Sequence, residues 1–316
     1  MKNAIISAMS CAVLANTAMA ADLPSRKAPV VAAPPPMWTG FYAGLSAGYN
    51  FGANSNVYSQ NAAGPWIGLT GLGIEPIFGP IFPGIAPIAM DAAASNTQSG
   101  FIGGGQIGYN YQYGSKILLG VEADIQGAGI RGVSRGGGAA IGSIVVGNDA
   151  NTKTIGSTTV QGGLDWLGSV RGRVGYLWTP TLLVYGTGGF AYGGAYANVI
   201  QSAIEQWALN AGPLFSQNSW NGGGRQNQLL TGWTAGGGVE WMFMPNWSLK
   251  AEALYWDLGR MNVQTASYGV LGNRQEDEIR NNVGWGRTSV QYSGVQAKVG
   301  VNYHFNWVAA PVVASY

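Results

Sequence analysis

Charged side chains in a repeating pattern are the residues of this 316-residue sequence whose types and spacing could do chemistry. Most occur as pairs separated by one residue, and residues i and i+2 of an extended strand point to the same face. Acidic and basic members balance within the set, which comprises Glu122, Asp124, Glu240 and Glu252 against Arg171, Arg173, Lys250 and Lys298. Such a set could transfer protons, conduct ions or form a neutral buried network.

Two glycine motifs also suggest chemistry, but their surroundings argue against it. Residues 44–48 (GLSAG) match the G-x-S-x-G elbow of hydrolases, which needs a strand-to-helix turn and a histidine partner. Residues 103–108 match G-x-G-x-x-G, which binds a dinucleotide only where a helix follows. Both motifs lie within segments that alternate like strands, and the single histidine, His304, falls near the end of the last one. With one histidine and one cysteine in the chain, we predict no catalytic residue, no metal site and no cofactor.

Alternation of apolar and polar residues with a period of two marks the elements that carry the charges. In residues 295–305, Ala297, Tyr303 and Phe305 share one face with three valines, whereas Lys298 and His304 lie on the other face. The same pattern recurs in seven further segments, at residues 38–50, 100–113, 117–126, 164–178, 182–193, 230–244 and 249–255. The orientation of the segment at 182–193 stays open, because its first residues are apolar on both faces.

The composition points to a membrane. Only 9% of the residues are charged, against about a quarter in soluble domains, and no apolar run reaches the roughly 20 residues of a membrane helix. The net charge of +2 provides no basic field for nucleic acid. Only helices and closed barrels satisfy every backbone group in lipid. We therefore predict an all-β, eight-stranded antiparallel up-and-down transmembrane β-barrel in the cell outer membrane of a Gram-negative bacterium.

The connections between the predicted strands alternate between short and long, as they do in bacterial outer-membrane barrels. Short periplasmic turns are predicted near Ser115, Pro180 and Asn246. Four long extracellular loops are predicted at residues 53–98, 128–163, 194–229 and 259–289. Aromatic residues cluster at the strand ends, as membrane interfaces favour. The predicted periplasmic girdle comprises Trp38, Tyr113, Trp178, Trp247 and Phe305, and the outer girdle comprises Tyr49, Trp166, Tyr192, Trp233 and Tyr255.

The eight charged residues should meet inside this barrel, because all of them lie on the polar face and within a few residues of the short turns. An eight-stranded barrel has an interior that side chains fill, and buried charges cost several kcal/mol unless they are paired. We favour a belt of paired charges that plugs the periplasmic half of the lumen. A narrow ion-selective pathway, which would make the protein a small passive porin, is the alternative, and a catalytic carboxylate pair is the least favoured interpretation.

The two ends of the chain have signatures of their own. Residues 1–20 form a predicted signal peptide, with Lys2, an apolar stretch and a small-residue cleavage site at 18–20. Cys11 lies inside this signal, so the mature chain should contain no thiol. Residues 21–36 are Pro-rich and are predicted to form an extended periplasmic linker. The barrel with its four loops is assigned to residues 37–305, and residues 306–316 form a C-terminal extension.

An apolar, proline-rich stretch at residues 74–88 is the most unusual part of the first predicted loop. Its prolines oppose a regular helix or strand. One interpretation is a loop that folds over the barrel mouth or lies on the outer-leaflet interface. The alternative is an exposed apolar patch that binds a partner, because large patches of this kind mark interaction sites.

Several motifs together resemble a known family. They are residues 21–24 (ADLP), 38–44 (WTGFYAG), 168–176 (GSVRGRVGY), 179–189 (TPTLLVYGTGG), 232–240 (GWTAGGGVE), 245–248 (PNWS), 255–259 (YWDLG) and 299–305 (VGVNYHF). On these motifs the chain resembles the alphaproteobacterial small outer-membrane β-barrel family, which is RopB-like and related in barrel type to the OmpA transmembrane domain. The resemblance covers all predicted strands and none of the loops.

This resemblance implies an abundant, non-enzymatic surface protein that supports envelope integrity and surface interactions. Its partners would be outer-membrane lipid, lipopolysaccharide and, during biogenesis, the barrel-assembly machinery. Because some relatives are porin-like, haem-binding or host-facing antigens, a haem or host ligand at the loops is an alternative. Gly300, Tyr303 and Phe305 resemble the C-terminal signal that the assembly machinery reads. The chain continues beyond Phe305, so either Phe305 or Tyr316 could be the recognised terminus.

Overall fold

Ten antiparallel strands and one short helix make up the described part of the chain, and eight of the strands close into a barrel. The computed structural model describes residues 38–52, 54–67, 85–144, 150–209, 214–271 and 281–305. The predicted signal peptide, linker and C-terminal extension lie outside these residues. The eight-stranded up-and-down ring predicted from the alternation is confirmed.

The barrel strands follow one another around the ring in chain order. They are β1 (Gly40–Gly52), β4 (Gly100–Tyr113), β5 (Ile117–Ile144), β6 (Ala150–Thr179), β7 (Leu182–Leu209), β8 (Leu214–Met244), β9 (Trp247–Leu271) and β10 (Asn281–Phe305). Closure comes from the pairing of β10 with β1, which runs from Phe305 opposite Phe41 to Gly294 opposite Gly52. This ring leaves no free sheet edge at the level of the membrane.

The outer and inner faces of the barrel wall differ in polarity, as the alternation with a period of two predicts. Outward residues such as Leu45, Phe101 and Val121 expose more than half of their surface, and they form an apolar face toward lipid. Inward residues alternate with them, and in the periplasmic half of the strands they are mostly polar or charged, with an apolar group next to the turns. Tight turns join the strands where they were predicted, including the turn in which Asn246 adopts a left-handed conformation with φ 71°.

The strands are longer than the sequence pattern indicated, and most of the predicted loops are strand. β5 to β8 contain 28 to 31 residues each, whereas roughly ten residues of a strand cross the membrane. The predicted loops at 128–163, 194–229 and 259–289 are therefore wrong over most of their length. Beyond the membrane both faces of a strand can be polar, so the apolar alternation that marks a membrane strand is lost there although the pairing continues.

The first predicted loop also contains regular structure. β2 (Asn54–Ile67) pairs with the outer part of β10, and β3 (Ala92–Thr97) pairs with β2. Between them lies the helix α1 (Ala86–Ala89). No helix among the described residues is long and apolar enough to cross a membrane.

The helix α1 and its flanks lie inside the outer part of the barrel. Met90 is fully buried against Trp220, and its carbonyl accepts a hydrogen bond of 2.6 Å from Thr158 Oγ1. Asp91 is bound by the backbone and side-chain amides of Asn61 at 2.6 and 3.1 Å. Of the apolar stretch at 74–88, residues 85–88 thus fold into the mouth, and residues 74–84 lie outside the described part of the chain.

Two expectations about individual side chains are wrong. Trp38, predicted in the periplasmic girdle, is 1% exposed inside the barrel, where its Nε1 donates a hydrogen bond of 2.9 Å to the carbonyl of Pro180. The alternation of residues 164–178 predicts Asp165 on the lumen face with Arg171 and Arg173, but its side chain is 61% exposed and pairs with Arg131. A register irregularity between Leu164 and Trp166 shifts the alternation at that point. The open orientation of β7 is also decided, because Leu183 and Tyr185 point inward.

Candidate functional site: the charged belt of the lumen

All eight predicted charges lie together inside the barrel and form one network, the charged belt. Each belt residue is at most 5% exposed. Arg171 contacts three carboxylates: Glu122, Asp124 at 2.9 Å and Glu252 at 3.0 Å. Arg173 lies 2.7 Å from Glu240. Every charge therefore has at least one partner of opposite sign.

The lysines of the belt reach carboxylates on distant strands. Lys250 Nζ on β9 lies 2.8 and 2.9 Å from the two carboxylate oxygens of Glu122 on β5. Lys298 on β10 lies 3.3 Å from Asp124 and 3.2 Å from Glu252. In the ring order, β5 and β9 stand on opposite sides of the barrel. Ion pairs thus cross the full width of the lumen.

Neutral side chains complete the belt, and sequence reasoning did not assign them to it. Tyr42 donates a hydrogen bond of 2.6 Å to Glu122 and accepts one of 2.9 Å from Arg173. Tyr185 donates to Glu252 at 2.9 Å, and its ring lies 4.1 Å from the guanidinium carbon of Arg173. Tyr42 alternates onto the polar face, which could have placed it in the belt. For Tyr185 the sequence offered no such signal.

Glu240, Ser248 and His304 meet at the periplasmic side of the belt. The hydroxyl of Ser248 donates to Glu240 Oε1 at 2.6 Å and lies 2.9 Å from His304 Nε2. The same histidine nitrogen lies 3.4 Å from Glu240 Oε1. A Ser-His-acid triad needs the acid on the other ring nitrogen, where it orients the histidine for catalysis. Because serine and glutamate share one nitrogen, the group does not have that geometry.

Apolar side chains close the lumen below and above the belt. Below it, Trp38, Leu118, Leu183 and Met242 pack together near the periplasmic turns. Above it lies a larger layer, which includes Ile102, Leu164, Leu230, Trp256 and Met261 and is here called the apolar layer. The charges thus lie between two groups of apolar side chains, in a buried environment where an unpaired charge is costly.

The predicted assembly signal lies at the end of β10. Tyr303 and Phe305 point outward and contact each other edge to face, with ring centroids 5.0 Å apart. Gly300 lies on the inner face opposite Ser46. Among the described residues, no three His, Cys, Asp or Glu side chains converge in a way that could hold a metal ion.

Comparison with known proteins places the chain in a family. No family model matches it. The 31 kDa outer-membrane immunogenic protein of Brucella melitensis is 33% identical over 268 residues, which cover 83% of this chain and 90% of that protein. The chain belongs to the family of the 31 kDa outer-membrane immunogenic proteins. The Brucella suis member of the family has the same identity and coverage.

The location in the outer membrane, predicted from the sequence, is confirmed by this family of 31 kDa outer-membrane proteins. The narrower resemblance to RopB-like barrels stays a prediction. Among solved structures, the barrel is similar to OprG from Pseudomonas aeruginosa, with 11% identity, a TM-score of 0.31 and coverage of 84% of this chain and 97% of that one. It is also similar to Ail of Yersinia pestis, with 10% identity, a TM-score of 0.27 and coverage of 80% and 99%.

Proposed function

We propose that this protein is a non-enzymatic, non-conducting surface barrel that supports envelope integrity, with a lumen sealed by the charged belt. The contact of Lys250 with both carboxylate oxygens of Glu122, across the barrel, carries this proposal. An ion that entered the lumen would have to displace a charge from its partner in a buried site. Because a separated buried charge costs several kcal/mol, such displacement would be rare.

The surroundings of the belt support the same function. The apolar side chains on either side of the belt add bulk to the path of an ion through the lumen. At the outer end, Met90 and the residues of α1 occupy the mouth. A narrow porin would require the belt, the apolar layers and α1 to move together. The passive-porin alternative is therefore less well supported than the plug.

A non-enzymatic role is supported by the position and geometry of the buried histidine. His304 is 2% exposed and lies at the periplasmic end, away from the outer-leaflet lipid that a lipid-modifying enzyme would attack. Its contacts with Ser248 and Glu240 do not have the arrangement of a triad. We infer that Ser248 and His304 have a structural role, in which they provide hydrogen-bond partners for buried Glu240 at the periplasmic side of the belt.

Liposome swelling tests the proposal. Vesicles of phosphatidylcholine that contain the refolded chain from residue 21 onward are diluted into isotonic solutions of small sugars or salts, with protein-free vesicles and vesicles with an open porin as references. The proposal predicts swelling no faster than in protein-free vesicles. Swelling that depends on solute size would assign the protein to the porins instead.

We also propose the partners that the sequence resemblance implies. Lipid and lipopolysaccharide would contact the outward apolar face, which ends in aromatic residues on both sides of the membrane. The barrel-assembly machinery would recognise the outward pair Tyr303 and Phe305. A haem or host ligand at the extracellular end stays a prediction.

A further inference from the structure

Among the described residues of the barrel strands, the pairing is interrupted over one long stretch, between β8 and β9. Their ladder extends from the periplasmic turn to Trp233 opposite Asp257, stops, and resumes at Gly223 opposite Ala266. Each strand stays paired on its other side, because Arg225 to Leu229 continue to pair with β7 and Gly259 to Ala266 with β10. Residues 224–232 and 258–265 do not pair with each other, and this unpaired stretch is here called the seam.

Gly259 explains where the seam begins. This residue has φ +79°, and its N–H donates a hydrogen bond of 2.7 Å to Asp257 Oδ1. The register between β9 and β10 also shifts at this point. A left-handed residue in a strand bends it out of line with its neighbour, so β9 turns away from β8 immediately above Asp257.

The seam is short and closed at both ends. A side-chain carbon at Gly224 would meet the backbone of Gln264, and one at Gly232 would meet the backbone of Asp257. The strands are therefore in close contact at each end of the seam. A further strand that paired with both edges would need about 4.8 Å on each side along its whole length. This shape opposes an inserted peptide strand and suits a small group.

Solvent reaches the seam along β8, on both faces of the strand. Residues 225–229 are all exposed, including Gln226 and Gln228, which alternation assigns to the lumen side. Behind them the apolar layer stays covered, since Met261 is fully buried and Val263 is 1% exposed. The seam is thus a polar stretch that solvent reaches, and its edge N–H and C=O groups lie outside the β8–β9 ladder.

Arginines lie along the seam and on the neighbouring strand β10. Arg225 on β8, Arg260 on β9 and Arg287 on β10 are all exposed, and Gln264, which faces Arg287 in the register, lies between the strands of Arg225 and Arg287. The stretches 224–232, 258–265 and 284–292 contain no acidic residue. At the foot of the seam, Trp233 and Tyr255 contact each other at 5.3 Å and mark the outer membrane interface. Arg260, three residues beyond Asp257, lies about 10 Å along the strand from this interface, at the level of the lipid headgroups. Arg225, eight residues beyond Trp233, lies about 26 Å along its strand from the interface and is therefore beyond the headgroups.

We propose that the seam binds a phosphate of lipopolysaccharide, the phosphorylated glycolipid of the outer leaflet. Guanidinium groups bind phosphate with two parallel hydrogen bonds, and backbone N–H groups outside a ladder make concave anion sites. Arg260 lies nearest the interface, and Arg225 and Arg287 lie farther out. This site is independent of whether the lumen conducts.

Binding to wild-type and variant barrels tests the proposal. The refolded full chain in phosphatidylcholine nanodiscs is titrated with rough-type lipopolysaccharide and with the same material after removal of its phosphates. We expect Arg225→Gln/Arg260→Gln to weaken binding at least about tenfold, a change of about 1.4 kcal/mol in binding free energy. Arg135→Gln is the matched control, because Arg135 is an exposed arginine on β5, across the barrel. Equal binding by the double variant, or by the dephosphorylated glycolipid, would overturn the proposal.

A second measurement needs no variant. Amide hydrogen exchange of residues 225–231 should be fast in phosphatidylcholine discs and should slow severalfold when lipopolysaccharide is added. Unchanged exchange in the presence of the glycolipid would contradict the proposal. Equal slowing by inorganic phosphate alone would show that free phosphate, and not a lipid, is the ligand, and would contradict it too.

Discussion

Lys250 on one side of the barrel holds both carboxylate oxygens of Glu122 on the opposite side, at 2.8 and 2.9 Å. A pair of this kind connects strands that stand opposite each other in the ring, so the lumen is crossed and not merely lined. Other ion pairs of the belt also join strands across the lumen, such as Arg171 with Glu252 and Lys298 with Asp124. This relationship makes the interior a structural element of the barrel.

The first prediction concerns Glu122. Glu122→Gln should lower the free energy of unfolding by about 3–5 kcal/mol, because the substitution leaves Lys250 and Arg171 without a full counter-charge in a buried site. Urea unfolding in lipid vesicles measures the loss. Asp165→Asn, which removes a carboxylate that is 61% exposed, should change the same quantity by no more than about 1 kcal/mol. Similar small losses in both variants would contradict a buried network.

A double-mutant cycle makes the same test specific for the pair. Combining Glu122→Gln with Lys250→Gln should recover part of the stability that the first substitution removes, since both charges are then absent. Strictly additive losses would mean that Glu122 and Lys250 do not interact energetically.

The second prediction concerns Tyr185, whose hydroxyl donates to Glu252 at 2.9 Å. Tyr185→Phe keeps the ring beside Arg173 but leaves the buried carboxylate short of one donor, so the free energy of unfolding should fall by about 1–3 kcal/mol. Tyr176→Phe is the control on the lipid face, where the side chain is 42% exposed. If both variants unfold like the wild type, the tyrosine hydroxyl contributes nothing to the belt.

The third prediction compares two glycines of β4 that face opposite sides of the wall. The ring of Tyr42 occupies the space where a side chain at Gly108 would lie, whereas the nearest atom to a side-chain carbon at Gly105 is 3.9 Å away. Gly108→Val should therefore displace Tyr42 and reduce the folded fraction, and Gly105→Val should not. Heat-modifiable migration on gels reports the folded barrel. An equal folded fraction in the two variants would mean that Tyr42 is not required in its place.

The fourth prediction decides between Phe305 and Tyr316 as the assembly terminus. Phe305 is the last residue of β10 and points outward beside Tyr303. A chain that ends at Phe305 should assemble in the outer membrane as well as the full chain, whereas Phe305→Ser should lower the assembled amount several-fold. Protease protection in cells measures assembly. Loss of assembly on truncation alone would assign the signal to Tyr316.

Much of the membrane-level barrel could be predicted because lipid imposes a strict period of two. The belt residues alternate with outward apolar residues, and the same alternation places Lys298 and Glu252 on one side of the wall. The outward orientation of Asp165 was not predicted, because a register irregularity changes the face of one residue without changing the sequence pattern around it. The inward orientation of Tyr185 was not predicted, because the residues before it are apolar on both faces of the strand.

The extracellular part could not be predicted for a different reason. Above the membrane no lipid selects apolar residues for the outer face, so strands such as β6 continue through threonines and glycines without a visible alternation. The pairing of β2 with β10 and the position of α1 in the mouth depend on contacts between residues far apart in the chain. A single sequence carries little information about such contacts.

Single-channel recording in planar bilayers tests the sealed lumen most directly. The refolded chain from residue 21 onward is recorded beside Glu122→Gln and Arg171→Gln, after gel mobility has shown that each is folded. The account predicts a silent bilayer for the wild-type protein at every salt concentration. Discrete, salt-dependent current steps from the wild-type barrel, altered in size or selectivity by those two substitutions, would contradict it and make the charged belt the gate of a small porin.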